Sequence, residues 1–162
     1  MDAAHDADAG AARRRQRVLL VDDEEDIRES LKMLLEAGLE DVDVETAASG
    51  AAALAIIDAM GVDLIITDYK MPGMNGLEFL QKANKVAPKT PRILVTAFPD
   101  LDIAIKAINE AGIENFFTKP FEPDQVLAVV QELLREQRAQ AMRDQSFARS
   151  IDLVRRSLDK GE

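Results

Sequence analysis

The chain has no cysteine and no tryptophan, a single histidine and a single tyrosine, and aromatic residues make up 4% of its 162 residues. Without cysteine there is no disulfide frame and no thiolate metal site, a composition expected of a cytoplasmic protein. With so few aromatics the core has to be built from Leu, Ile, Val, Ala and Met, and hydrophobic residues at 47% suffice for one domain. Long apolar runs are missing too: none approaches the roughly 18 residues of a membrane-spanning helix. Positive charge is scarce, 20 Lys and Arg against 30 Asp and Glu, and a net charge of −10 argues against a nucleic-acid surface. Arg13-Arg14-Arg15 invites comparison with an export signal. The apolar stretch after it, Val18 to Val21, is too short for one and runs straight into acids. Residues 1–16, which include His5, lack periodicity and apolar mass and are expected to form a disordered tail.

What is present is an alternation. Val18 to Val21 is a short apolar run that ends on Asp22-Asp23, and Ile27, Leu31, Leu34 and Leu35 follow at helical spacing up to Gly38. Val42, Val44 and Thr46 alternate with polar residues as a strand does. Ser49 is a candidate N-cap for a helix over Ala51 to Met60. Leu64-Ile65-Ile66 is a β-branched run that ends on Asp68 and empties into Met71-Pro72-Gly73-Met74-Asn75-Gly76, which is all turn chemistry. Met71 and Met74 are assigned to loop packing. A helix from Gly76 to Val86 follows, then a strand Arg92 to Thr96 and a helix carrying Ile103, Ile105, Ala107 and Ile108 that stops at Gly112. A strand Asn115 to Thr118 and a last helix from Pro123-Asp124 complete the pattern.

Five strands alternating with five helices demand a parallel sheet with right-handed crossovers and helices on both faces. In such a sheet the C-terminal strand ends share one edge, where ligands bind. Asp22 and Asp23, Asp68, Thr96 and Lys119 all fall at those ends. Singly, each has an ordinary explanation: acids at a helix N-terminus, a loop acid, a β-forming threonine, a solvated lysine. Together they place three carboxylates, a hydroxyl and an ammonium in one crevice. Three carboxylates repel unless a hard cation such as Mg²⁺ relieves them. Lys119, Thr96 and backbone N–H groups near Tyr69 and Lys70 offer donors to phosphoryl oxygens. A carboxylate can act as the nucleophile, giving an aspartyl phosphate.

The segments VLLVDDEEDIR, VDLIITDYKMPGMNGLEFL, ILVTAF and NFFTKPF, in that order, resemble the receiver domain of two-component response regulators over residues 17–135. The resemblance implies a flavodoxin-like, doubly wound, five-stranded parallel sheet of order 2-1-3-4-5. It implies that Asp68 is the phosphoacceptor, that Asp22, Asp23 and Asp68 hold Mg²⁺ with the backbone carbonyl of Lys70, and that Thr96 and Lys119 assist. Phe116, where many members carry Tyr, is the implied switch aromatic beside Thr96, and the Lys119-Pro120 bond is implied to be cis. Lys70 and Phe98 stand where side chains govern loss of the phosphoryl group. The implied partner is a sensor histidine kinase or a histidine phosphotransfer protein. The implied chemistry is limited to the domain's own phosphorylation and dephosphorylation.

Residues 136–162 lie outside the resemblance. Phe147, Ile151, Val154 and Leu158 recur at heptad-like spacing, but Gln137, Gln140 and Asp144 are poor seam residues. The segment is either a continuation of the last helix that pairs with another chain as a homodimer arm, or a separate helix folded back on the domain, or a linker to an output domain outside this chain. The first is preferred. Two other functions remain open: a phosphorylation-independent dimerisation module, and a Mg²⁺-dependent phosphatase with an Asp nucleophile. Phosphatases of the haloacid dehalogenase family usually carry a second Asp two residues on, where this chain has Lys70.

Overall fold

The computed structural model describes residues 14–98 and 100–161. Most of the expected N-terminal tail, including His5 and Arg13, lies outside the described residues. The elements are β1 (Gln16–Val21), α1 (Glu25–Gly38), β2 (Val42–Ala47), α2 (Gly50–Met60) and β3 (Leu64–Asp68). They continue with α3 (Gly76–Val86), β4 (Arg92–Thr96), α4 (Leu101–Ala111), β5 (Asn115–Thr118) and α5 (Pro123–Asp159). All strand pairings are parallel and the order is β2-β1-β3-β4-β5. No described helix is long and apolar enough to cross a membrane.

Side chains in a strand alternate between the two faces of the sheet, and here the alternation sorts the core in two. Leu19, Val21, Ile65 and Leu94 pack under α2, α3 and α4, against Ala53, Ile57, Leu80, Ala83 and Ala107. Val18, Leu20, Leu64, Ile66, Ile93 and Val95 pack under α1 and α5, against Leu31, Leu35, Val126 and Val130. Residues of both parities are apolar in β1, β3 and β4, so these strands are buried on both faces and read as unbroken hydrophobic runs.

Gln16 belongs to β1 and not to the tail. It is buried, its backbone N–H donates to Asp41 O, and its side-chain amide donates to Leu134 O at 2.7 Å. That last contact spans 118 residues, so no local pattern announces it. Ser49 caps α2 as expected, accepting from Ala52 N–H, and Asn75 caps α3 by accepting from Glu78 N–H. The last helix is continuous over 37 residues, about 55 Å at 1.5 Å per residue. Gln137, Gln140 and Asp144 therefore do not break it, and the folded-back alternative is ruled out.

Asn75-Gly76 suggested a glycine chosen for turn dihedrals. The unusual dihedral belongs instead to Gly73, at φ +75°. At Gly76 the constraint is space: a Cβ there would stand 2.1 Å from the backbone oxygen of Asp68, while Gly76 N–H donates to Tyr69 O at 2.7 Å. The helix start is thus drawn directly against the end of β3. Gly38, by contrast, faces only the side-chain tip of Leu127 on α5, which can rotate away. Gly76→Ala should therefore cost about 2 kcal/mol or more in urea unfolding followed by far-UV dichroism. Gly38→Ala should cost clearly less. Equal costs would contradict this reading of Gly76.

Candidate functional site

Asp22 follows β1, Asp68 closes β3 and Lys119 follows β5, so three different strands deliver the charged groups to one edge. Lys119 Nζ lies 3.0 Å from Asp22 Oδ2 and 3.5 Å from Asp68 Oδ2. Asp22 Oδ1 accepts from Glu24 N–H at 2.9 Å, which ties it to the entrance of α1. Asp68 Oδ1 accepts from Tyr69 N–H at 2.9 Å, fixing the carboxylate with a backbone donor of the loop singled out from sequence. Asp22 and Asp68 are buried and Asp23 is exposed, so the group opens to solvent on one side. One carboxylate oxygen from each of Asp22, Asp23 and Asp68 lies within 4.8 Å of the others. The crevice is walled by Leu20, Ile27, Arg28, Ile66, Val95 and Phe121.

Burial is the main cause that pushes the Asp68 carboxyl above its ordinary value; Lys119 opposes this and the charge of Asp22 adds to it. Burial also works against the Lys119 ammonium. The hydrogen bond and charge of Asp22, then those of Asp68, outweigh it and hold the lysine above its ordinary value. The site is therefore short of positive charge. One ammonium faces three carboxylates, all the donors are oxygens and one side is open to water, which fits a hard divalent cation such as Mg²⁺.

Thr96 and Phe116 occupy the other parity of the pleat. Phe116 pairs with Leu94 in register and packs with the core under α2, α3 and α4. Thr96 is 1% exposed, and its Oγ1 accepts from Phe98 N–H at 3.1 Å. Its hydroxyl thus serves the β4–α4 loop and has no hydrogen bond to the carboxylates. The Lys119-Pro120 bond is cis. Lys70 and Phe98, named together from the family resemblance, meet: Lys70 Nζ stands over the Phe98 ring, 5.0 Å from its centroid, a cation–π contact between two loops.

Arg28 received no role from the sequence. Its Nη1 donates to the backbone oxygen of Asp22 at 2.6 Å, clamping α1 to the end of β1. Its presence in VLLVDDEEDIR was the available signal, but helical spacing alone does not say that it turns back on Asp22.

The family model described as the response regulator receiver domain matches residues 18–131. The chain belongs to the response regulator receiver family. It is 33% identical over 141 residues to the C4-dicarboxylate transport transcriptional regulatory protein DctD of Rhizobium meliloti, covering 87% of this chain and 30% of that protein. It is 36% identical over 121 residues to the response regulator protein PilR of Pseudomonas aeruginosa, covering 75% of this chain and 26% of that protein. The chain therefore spans less than a third of these two curated relatives. Among solved structures, a CheY-like receiver domain protein from Methanospirillum hungatei superposes with a TM-score of 0.72 at 36% identity, over 77% of this chain and 98% of that one. The signal receiver domain of an HD domain-containing protein from Pseudomonas fluorescens gives 0.74 at 33% identity, over 78% and 99%.

The receiver's charge balance makes a prediction. A carboxyl whose folded-state pKa is raised costs stability, and that cost is absent below its unfolded pKa and grows as pH rises toward its folded pKa. Asp68→Asn should therefore raise the melting temperature in metal-free buffer at pH 7, by roughly a few degrees. Mg²⁺ at about 100 times its dissociation constant should stabilise the unmodified receiver by about 2.7 kcal/mol and the variant by less. Thermal melts with EDTA or MgCl₂ check both. A lower melting point for Asp68→Asn without metal, or equal responses to Mg²⁺, would contradict the assignment.

Proposed function

We propose that this receiver accepts a phosphoryl group on Asp68 from the phosphohistidine of a sensor histidine kinase or phosphotransfer protein, and that the modification biases a partner-binding surface. The observation that carries the proposal is the Lys119 bridge between Asp22 and Asp68, inside a three-carboxylate cluster at the strand ends. In transfer, an Asp68 oxygen bonds to phosphorus as the N–P bond of the donor breaks. The imidazole nitrogen leaves with the electron pair and takes up a proton. In loss, water attacks phosphorus, the bond to Asp68 breaks and inorganic phosphate departs.

The residues that would hold Mg²⁺ are Asp22, Asp23 and Asp68, with the backbone carbonyl of Lys70. When bound, the cation supplies neutralisation of charge on the phosphoryl oxygens. Tyr69 N–H orients the Asp68 carboxylate for attack. Lys119, already within reach of Asp68, pairs with a phosphoryl oxygen and exchanges one anionic partner for another. Such transfer needs positioning and charge more than covalent help from the protein.

The Thr96 hydroxyl then turns from Phe98 N–H to a phosphoryl oxygen, and Phe116 moves inward on the same face of the sheet. These contacts exist only in the modified state, so they shift a two-state equilibrium. The exposed Leu101, Ile105 and Ile108 of α4 beside exposed Phe98 support a surface there that such a shift can alter. The Lys70–Phe98 contact supports a role for both in admitting water to the site. A dimerisation module without phosphorylation is favoured by one feature alone, the exposed apolar stripe of α5.

Intact mass after incubation with Mg²⁺ and acetyl phosphate separates the two. The proposal predicts the gain of one phosphoryl group in the unmodified chain and none in Asp68→Ala or without Mg²⁺. Lys70→Ala and Phe98→Ala should alter the rate at which that mass is lost. No gain in a folded chain, either from acetyl phosphate or from phosphohistidine donors, would overturn the relay in favour of the dimerisation module.

A further inference from the structure

The sheet edge that carries the site is negative well beyond its three carboxylates. The loops at the C-terminal strand ends, with the first four residues of the helices they feed, are residues 22–28, 48–53, 69–79, 97–104 and 119–126. Outside Asp22, Asp23, Asp68 and Lys119, these segments hold eight acids and two bases. All eight acids are exposed. Glu25 and Asp26 open α1, and Glu78, Asp102 and Asp124 sit in the first turns of α3, α4 and α5. Singly, each suits the positive end of its own helix. Because the sheet is parallel, all four helix starts lie along the one edge that holds the crevice. The two bases are already engaged: Arg28 donates to Asp22 O at 2.6 Å, and Lys70 stands over the Phe98 ring.

This collar governs what can approach. Three carboxylates are balanced by one ammonium and one divalent cation, so with Mg²⁺ bound the cluster itself carries no net charge. What an incoming group meets from a distance is then the collar. The field of such charges reaches far at low ionic strength and is screened within about 8 Å at physiological salt. A phosphodonor is an anion, so a small one with no other charge is repelled. A protein that carries its phosphohistidine among lysines and arginines is drawn in, because complementary fields raise association rates.

We propose that the acidic collar selects the phosphodonor by charge, disfavouring small anionic donors and favouring a protein whose surface around the phosphohistidine is basic. This rests on transfer to Asp68 and adds the chemistry of the partner. Glu25, Asp26, Glu122 and Asp124 are the collar residues to test, since all four are exposed and lie outside the groups that hold metal or accept phosphoryl.

The rate of phosphoryl gain by intact mass, with Mg²⁺ kept saturating at every salt concentration, tests the selection. With acetyl phosphate the rate should rise several-fold between about 0.02 and 0.5 M KCl as the collar is screened. A chain carrying Glu25→Gln, Asp26→Asn, Glu122→Gln and Asp124→Asn should react several-fold faster in low salt and respond little to KCl, with far-UV dichroism checking its fold. Two synthetic peptides, each with one phosphohistidine, flanked by lysines or by glutamates, test the partner side. The lysine-flanked peptide should donate at least about tenfold faster in low salt, and the gap should shrink in the neutralised chain. A rate from acetyl phosphate that is flat or falls with salt would overturn the selection while leaving transfer to Asp68 intact. So would a lysine-flanked peptide no faster than its glutamate-flanked counterpart. No gain from any donor would overturn both the selection and the transfer.

Discussion

The ammonium of Lys119 is the contact on which the site depends. Carboxylate oxygens of Asp22 and Asp68 lie within 4.8 Å of each other, where two unit charges repel by about 3.5 kcal/mol or more at an effective dielectric of about 20, and both residues are buried. Lys119 bridges them at 3.0 and 3.5 Å and offsets part of that repulsion. It does not cancel it, because Asp23 adds a third carboxylate. An acid cluster left short of charge has use for a cation. A lysine shared between two acids can be redirected to a new anion at small cost, since it exchanges one carboxylate for a phosphoryl oxygen. The same imbalance suits the site to both the metal and the phosphoryl chemistry proposed for it.

The pleat of the sheet then divides the labour. Asp68 pairs in register with Val95, on the parity that faces α1 and α5, whereas Thr96 and Phe116 share the parity that faces α2, α3 and α4. Charge lies on one side of the sheet edge and the residues proposed to respond lie on the other. A group built outward from Asp68, over the strand ends, is within the domain's means of reaching both. The tight seat of Gly76 against the Asp68 backbone and the clamp of Arg28 on Asp22 O hold the ends of β3 and β1 in place.

Much of this was legible in sequence, for definite reasons. Strands buried on both faces are continuous apolar runs, and the runs of β1, β3 and β4 each gave way to a polar residue, Asp22, Asp68 and Thr96, at the same sheet edge. Convergence of Asp22, Asp23, Asp68 and Lys119 followed from parallel topology alone. What was not legible depends on long-range or face-specific contact. Gln16 reads as tail because its partner, Leu134 O, is 118 residues away. Gly76 reads as a turn residue because close backbone approach leaves no pattern. The separation of Thr96 from the acids follows from parity, which a list of strand ends does not reveal. The arm's polar middle read only as poor seam, while in the structure Gln137 bonds to Gln16 and Asp144 to Lys89.

The central claim is that modification at Asp68 is felt across the sheet edge through Thr96. The most direct measurement is the backbone amide resonance of Phe98 in a ¹⁵N-labelled chain, followed as Mg²⁺ and acetyl phosphate are added. The account predicts that this resonance moves as Thr96 Oγ1 leaves it, and that it stays in place in Asp68→Ala. A Phe98 amide that does not move in a chain shown by mass to carry one phosphoryl group would contradict it.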